Sequence, residues 1–188
     1  MKPMDSRDSF LQAAGPGKFK LGFAGFATCG KTSVAQALQS RFSRIGLDSQ
    51  ILSFASPLKE LCRKEFFWDG VKDEKGRHLL QEIGCAARHY RPSIWLDKWF
   101  AAAEASPAAV VMCDDVRFPN EITTVRGTGG VIVRLNAPWA VSDGHESEKL
   151  PPDGAIYDIV VGTEAKGTVE AVADEVWLRL GQVLASRA

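Results

Sequence analysis

Gly25-Phe26-Ala27-Thr28-Cys29-Gly30-Lys31-Thr32 fits the pattern G-x-x-x-x-G-K-[ST], and the reading of the whole chain turns on it. The apolar run Phe19-Lys20-Leu21-Gly22-Phe23-Ala24 precedes it and reads as a buried strand. Ser33-Val34-Ala35-Gln36-Ala37-Leu38 follows, with apolar residues at helical spacing. Strand, glycine loop and helix is the context in which this pattern binds phosphate. Gly25 and Gly30 reach backbone angles closed to other residues, so successive amides turn inward around an anion. A helix N-terminus adds partial positive charge at the same spot. Lys31 reaches the outer phosphates of ATP, and the Thr32 hydroxyl is suited to Mg²⁺. The expected phosphate-binding set is Gly25, Ala27, Thr28, Cys29, Gly30, Lys31, Thr32 and Ser33.

With 188 residues, one domain is the expectation, large enough to bury a core without metal or disulfide staples. Lysine plus arginine equals aspartate plus glutamate, 23 against 23, so no global field draws the chain to nucleic acid or to a membrane. Phosphate affinity must then come from local placement. Cys29, Cys62, Cys85 and Cys113 are widely spread, which suits neither zinc nor a disulfide framework and fits reduced thiols in a cytoplasmic setting. No apolar run approaches the ~20 residues of a membrane helix, and the charged first residues do not resemble a signal peptide. Residues 1–17 read as a tail closed by the breaker Gly15-Pro16-Gly17, and 18–188 as the domain.

Along that domain, helix is expected from Lys31 to Ile45, stopped at Gly46, and strand over Ser49–Ala55. Ser56-Pro57 opens a helix that ends near Phe66-Phe67-Trp68. Residues 69–77 read as an exposed connection, and His78–Arg88 and Ser93–Ala105 as helices. Ala108–Cys113 is a continuous apolar run ending in Asp114-Asp115, the pattern of a central parallel strand whose C-terminal end lies at a site. A short helix over Pro119–Arg126, strands over Val131–Leu135 and Ile156–Val161, and a helix over Thr168–Ala185 complete the series. The alternation predicts a three-layer α/β/α fold: a parallel sheet of about five strands, covered on both faces, with ligands at the strand C-termini. Residues 136–154 carry three prolines and two glycines without period, the composition of a loop that is either disordered and solvated or functional, as a closing lid.

The acid at the end of the apolar run is suited to Mg²⁺ beside the phosphates. Adjacent strand residues point to opposite faces, so one of Asp114 and Asp115 faces the loop, and spacing does not choose between them. Arg117 sits at the same sheet edge, and Arg88 and Arg91 flank a helix end near Tyr90 and Trp95; arginine is shaped for bidentate phosphate contact.

Longer strings carry a family resemblance. The segment Gly22–Thr32, then Phe54-Ala55-Ser56-Pro57-Leu58-Lys59, Leu80-Gln81-Glu82-Ile83-Gly84 with Arg88 and Trp95, resembles the deoxynucleoside monophosphate kinases of tailed bacteriophages. Asp115-Val116-Arg117-Phe118-Pro119-Asn120-Glu121, Gly129–Arg134 and His145-Glu146-Ser147-Glu148 continue it in order. The resemblance implies the P-loop fold of nucleoside monophosphate kinases, with a monophosphate-binding helical region over about 56–105 and a lid over about 136–154. It implies transfer from ATP, with Mg²⁺, to a (deoxy)nucleoside monophosphate. By the same resemblance Lys31, Arg88, Arg117 and Asp115 are catalytic, and Thr32 and Asp115 hold the metal. The acceptor falls to Lys59, Arg88, Trp95, Arg117, Glu121, His145 and Glu148. The partners are then small nucleotides, the chain is a monomer or homodimer, and a phage-encoded enzyme would work in the host cytoplasm. Departures are Cys29, where such kinases often have serine, and Val161-Gly162-Thr163, which lacks an expected asparagine. Another small-molecule kinase of the dephospho-coenzyme A type, a regulatory NTPase switch and an inactive nucleotide-binding module are the competing readings; no N-K-x-D segment supports a guanine-reading switch.

Overall fold

Phe19–Ala24 forms β1, the middle strand of the sheet, and every one of its residues is buried. Five parallel strands lie in the order β2-β3-β1-β4-β5, with β2 at Ser49–Ile51, β3 at Val110–Val116, β4 at Val131–Asn136 and β5 at Ile159–Gly162. These assignments come from a computed structural model that describes residues 4, 6–140, 151, 154, 156–163 and 167–187. The helices are α1 (Arg7–Ala14), α2 (Lys31–Arg44), α3 (Ser56–Glu65), α4 (Glu74–Tyr90), α5 (Ile94–Ala105), α6 (Pro119–Gly127) and α7 (Val169–Arg187). By their internal contacts the residues form two compact units, Met1–Ile51 with Ser106–Ala188, and Leu52–Ala105.

In the sheet unit, strand period and helix period meet on one core. Phe19, Leu21 and Phe23 of β1, Val110 and Met112 of β3, and Val131, Val133 and Leu135 of β4 point to the same side. Val34, Leu38 and Phe42 of α2, and Val172, Val176, Leu180 and Leu184 of α7, cover them at i, i+4 spacing. The intervening strand residues, among them Gly22, Val111 and Ile132, face the other side, where α6 packs on β1 and β4 with Ile122 and Val125 fully buried. The sheet therefore has helices on both sides.

Within the expected tail, Arg7–Ala14 forms a capped helix that packs on the core. Ser6 caps α1 by accepting the Ser9 amide at 3.2 Å. Fully buried Phe10 packs edge-on against Phe19 and Phe42, each at 5.3 Å between ring centroids. Three further boundaries differ from expectation for visible reasons. Asp73 accepts the Gly76 amide at 2.7 Å and starts α4 at Glu74, inside the segment read as connection. β2 ends at Ile51, and Ser56 donates its amide to Ser53 in the turn that enters α3. β5 starts at Ile159 because the Asp158 carboxylate itself accepts the Ile132 amide of β4 at 2.8 Å.

The helical unit has its own core of Leu58, Cys62, Trp68 and Trp95, with Leu79, Leu80 and Ile83 packed against it. Its indoles are tied to carbonyls: Trp68 donates to Val71 at 2.9 Å and Trp99 to Leu52 at 2.7 Å.

Candidate active site

The chain leaves β1 at its C-terminal end and turns through the glycine loop into α2. Gly25 has φ +152°, and a Cβ there would stand 2.8 Å from the Leu135 carbonyl oxygen and 2.4 Å from Cys29 Sγ. Gly30 has φ +94° and serves as N-cap of α2, with no side chain covering the first amides of the helix. Thr28 also lies in the left-handed region at φ +63°. The Lys31 ammonium, on a side chain only 8% exposed, donates to the carbonyls of Gly25 at 2.8 Å and Phe26 at 2.7 Å, and lies 3.7 Å from Cys29 Sγ. A cation is thus held against the loop's own backbone, beside the uncapped first turn of α2, and a helix N-terminus of that kind is suited to phosphate.

Thr32 and Ser33, in the first turn of α2, are exposed. The Thr32 hydroxyl donates to Asp114 Oδ2 at 2.6 Å. Asp114 therefore faces the loop. Asp115, favoured by resemblance, points the other way and accepts the Cys113 thiol at 3.2 Å. Alternation along β3 separates the two, and Met112, two residues before Asp114, lies in the core that α2 covers. Thr32 and Asp114 supply hard oxygen donors, which fit Mg²⁺, an ion that binds few protein ligands and completes its shell with water and phosphate. Burial pushes the Cys113 thiol well above its ordinary range, and the Asp115 and Glu121 carboxylates push it further.

Glu121 behaves differently from expectation. Only 3% exposed, it accepts the backbone amides of Arg117 at 2.8 Å and Phe118 at 3.0 Å through one carboxylate oxygen. Its acidity serves the N-terminus of α6, as glutamate at the third helical position commonly does, and the turn that carries Arg117 is fixed by it. Arg117 itself is half-buried at the C-terminal end of β3.

In the helical unit, Lys59 and Arg88 are half-buried on α3 and α4. Trp95 is 4% exposed, and its indole donates to the Gly84 carbonyl at 3.3 Å. The apolar spacing of Trp95, Leu96, Trp99 and Ala103 on α5 turns that ring into the core rather than toward a ligand. Arg91 pairs with Asp97 at 2.6 Å. His145 and Glu148, and with them residues 141–150 of the expected lid, lie outside the described residues.

Two residues near the loop escape sequence reasoning. Arg134 is buried on β4, its guanidinium 5.2 Å from the centroid of Phe26 and 5.6 Å from that of Tyr157, with Nε donating to Asn136 at 2.9 Å. An arginine inside Val131-Ile132-Val133-Arg134-Leu135 is the signal that could have marked it. Trp139 follows β4, is 60% exposed, and directs its indole N–H at the Thr28 carbonyl at 3.4 Å.

No known protein-family model matches the sequence. A protein of Acanthamoeba polyphaga mimivirus named "Putative deoxynucleotide monophosphate kinase" is 29% identical over 171 residues, covering 75% of this chain and 86% of that protein. Among solved structures, a gluconokinase from Sinorhizobium meliloti 1021 superposes with a TM-score of 0.54 at 14% identity, over 92% of this chain and 95% of the other. The Mycobacterium tuberculosis APS kinase CysC, in complex with AMPPNP and APS, gives a TM-score of 0.50 at 14% identity, over 88% and 99%. The fold is that of the P-loop kinases. The relative comes from a virus of an amoeba, so a bacteriophage origin has no support beyond the resemblance in sequence.

Proposed function

We propose that this chain transfers the γ-phosphoryl group of ATP to a (deoxy)nucleoside monophosphate, giving ADP and the diphosphate. The observation that carries the donor half is the glycine loop, in which Lys31 and the α2 amides sit beside the Thr32–Asp114 oxygen pair at one sheet edge. Support for the acceptor half comes from the mimivirus relative and from the D-V-R-F-P-N-E segment at Asp115–Glu121.

On this reading Lys31 gives up the Gly25 and Phe26 carbonyls for phosphate oxygens when ATP binds. Thr32 and Asp114 would hold Mg²⁺, which would neutralise charge on the transferred group. A phosphate monoester is already an anionic nucleophile, so no general base is required, and positioning with charge stabilisation suffices. Arg117, fixed at its backbone by Glu121, and Arg88 are assigned to phosphate oxygens. Trp95 and Glu121 support the residues around them instead of touching the acceptor. A coupled ADP-release assay over the four dNMPs and their ribose counterparts tests this. Acceptor-dependent ADP release with at least one of them is expected. Equal release without acceptor would favour an NTPase, and release only with other small hydroxyl substrates would favour a different kinase.

A further inference from the structure

Beside the phosphate loop the sheet unit contains a second feature, a cleft of about 160 Å³ with one glycine-loop wall and one apolar wall. Thr28 and Cys29 of the loop, Val34 of α2, Val169 and Val172 of α7, and Trp139 line it. The indole is not a stray surface ring. Ala140 donates its amide to Ala137 at 3.0 Å, closing a turn with Pro138 and Trp139 at its centre, and buried Ala140 anchors that turn. The indole N–H directed at Thr28 ties the ring to the loop itself.

We propose that Trp139 is the stacking platform for the base of the phosphoryl donor. The inference rests on the nucleotide reading above and deepens it. The cleft shares Thr28, Cys29 and Gly30 with the phosphate loop, so its occupant is continuous with whatever the loop amides hold. A flat group that is apolar on both faces and joined to a polyphosphate suits such a slot, and a nucleobase has that character. Anchoring the indole through its own N–H leaves a rigid ring with two torsions, which loses little entropy when a base lies on it. The donor is thereby gripped at both ends, by charge at the phosphates and by stacking at the base.

Calorimetric titrations of ATP and of inorganic tripolyphosphate separate the two grips. Trp139→Leu is expected to weaken ATP binding by roughly 5- to 150-fold, the range for loss of one aromatic–base stack, and to leave tripolyphosphate binding unchanged. Trp139→Phe, which keeps an aromatic face, should bind ATP within a few-fold of wild type and controls for a collapse of the turn. Lys31→Ala should weaken both ligands. Binding should also quench tryptophan fluorescence with ATP but not with tripolyphosphate, and Trp139→Phe should remove most of that quenching, since Trp139 is the one exposed indole among the five tryptophans. Unchanged ATP affinity in Trp139→Leu would overturn the platform while the phosphate site stood. Failure of wild type to bind tripolyphosphate or ATP would overturn the phosphate reading and the platform with it.

Discussion

On the proposed function, Lys31 and Asp114 supply most of the side-chain chemistry of the donor site. Lys31→Ala removes a buried cation whose partners are backbone carbonyls, so the loop keeps its course while the developing phosphate charge loses its counterion. Turnover should fall at least ~100-fold, in line with single electrostatic groups in active sites, with circular dichroism and melting temperature near wild type. Near-normal turnover would remove Lys31 from the mechanism. Asp114→Asn should raise the Mg²⁺ concentration needed for half-maximal rate by roughly 10- to 100-fold, the range for groups that orient a metal's ligands. Asp115→Asn should leave that concentration close to wild type, because its carboxylate faces Cys113. The reverse ranking in a Mg²⁺ titration would return the metal role to Asp115. This choice was the point at which sequence ran out: alternation says that one of two adjacent acids faces the loop, and only the packing of β3 under α2 decides which.

At the scale of elements, the strand, the loop and the first helix were legible because each has its own local signal. Phe19–Ala24 and the start of α2 at Lys31 fall where the apolar period and the glycines put them. α1 was invisible for the opposite reason. Gly15-Pro16-Gly17 separates it from the domain, and the evidence for docking is tertiary, namely that Phe10 meets Phe19 and Phe42. Phe10→Ala should therefore cost about 3–5 kcal/mol of unfolding free energy, as deletion of a buried ring does, measured by urea denaturation at constant m-value. A change below about 0.5 kcal/mol, the level of an ordinary surface substitution, would restore the tail reading. Asp158 makes the same point for β5. Its carboxylate, which binds the Ile132 amide, Arg126 and Arg187, replaces three residues of the strand expected from Ile156 onward. The resemblance puts Trp95 and Glu121 at the acceptor; in the fold Trp95 is buried with its indole on the Gly84 carbonyl, and Glu121 caps α6 through one carboxylate oxygen.

For the molecule as a whole, the buried thiol behind the sheet edge couples acidity to stability. Cys113 has its pKa raised by burial, then by Asp115 and Glu121, so the folded chain keeps a proton that the unfolded chain releases above pH 9.0. The stabilisation is complete below that value and is lost as the pH rises beyond it toward the folded pKa. Urea melts from pH 7 to 10 should show wild type losing more stability above pH 9 than Cys113→Ala does, and parallel curves would exclude the thiol as the source. The parallel order β2-β3-β1-β4-β5 brings the glycine loop after β1 and the acids ending β3 to one edge, and the donor half of the account is built there. On the proposed function, this edge passes a phosphoryl group to a nucleotide. The direct measurement is incubation of the protein with Mg²⁺, ATP labelled at the γ-phosphate and each dNMP, followed by chromatographic separation. Label should move into a deoxynucleoside diphosphate in wild type and at least ~100-fold more slowly in Lys31→Ala. Label found only in inorganic phosphate, at a rate indifferent to the monophosphate, would contradict it.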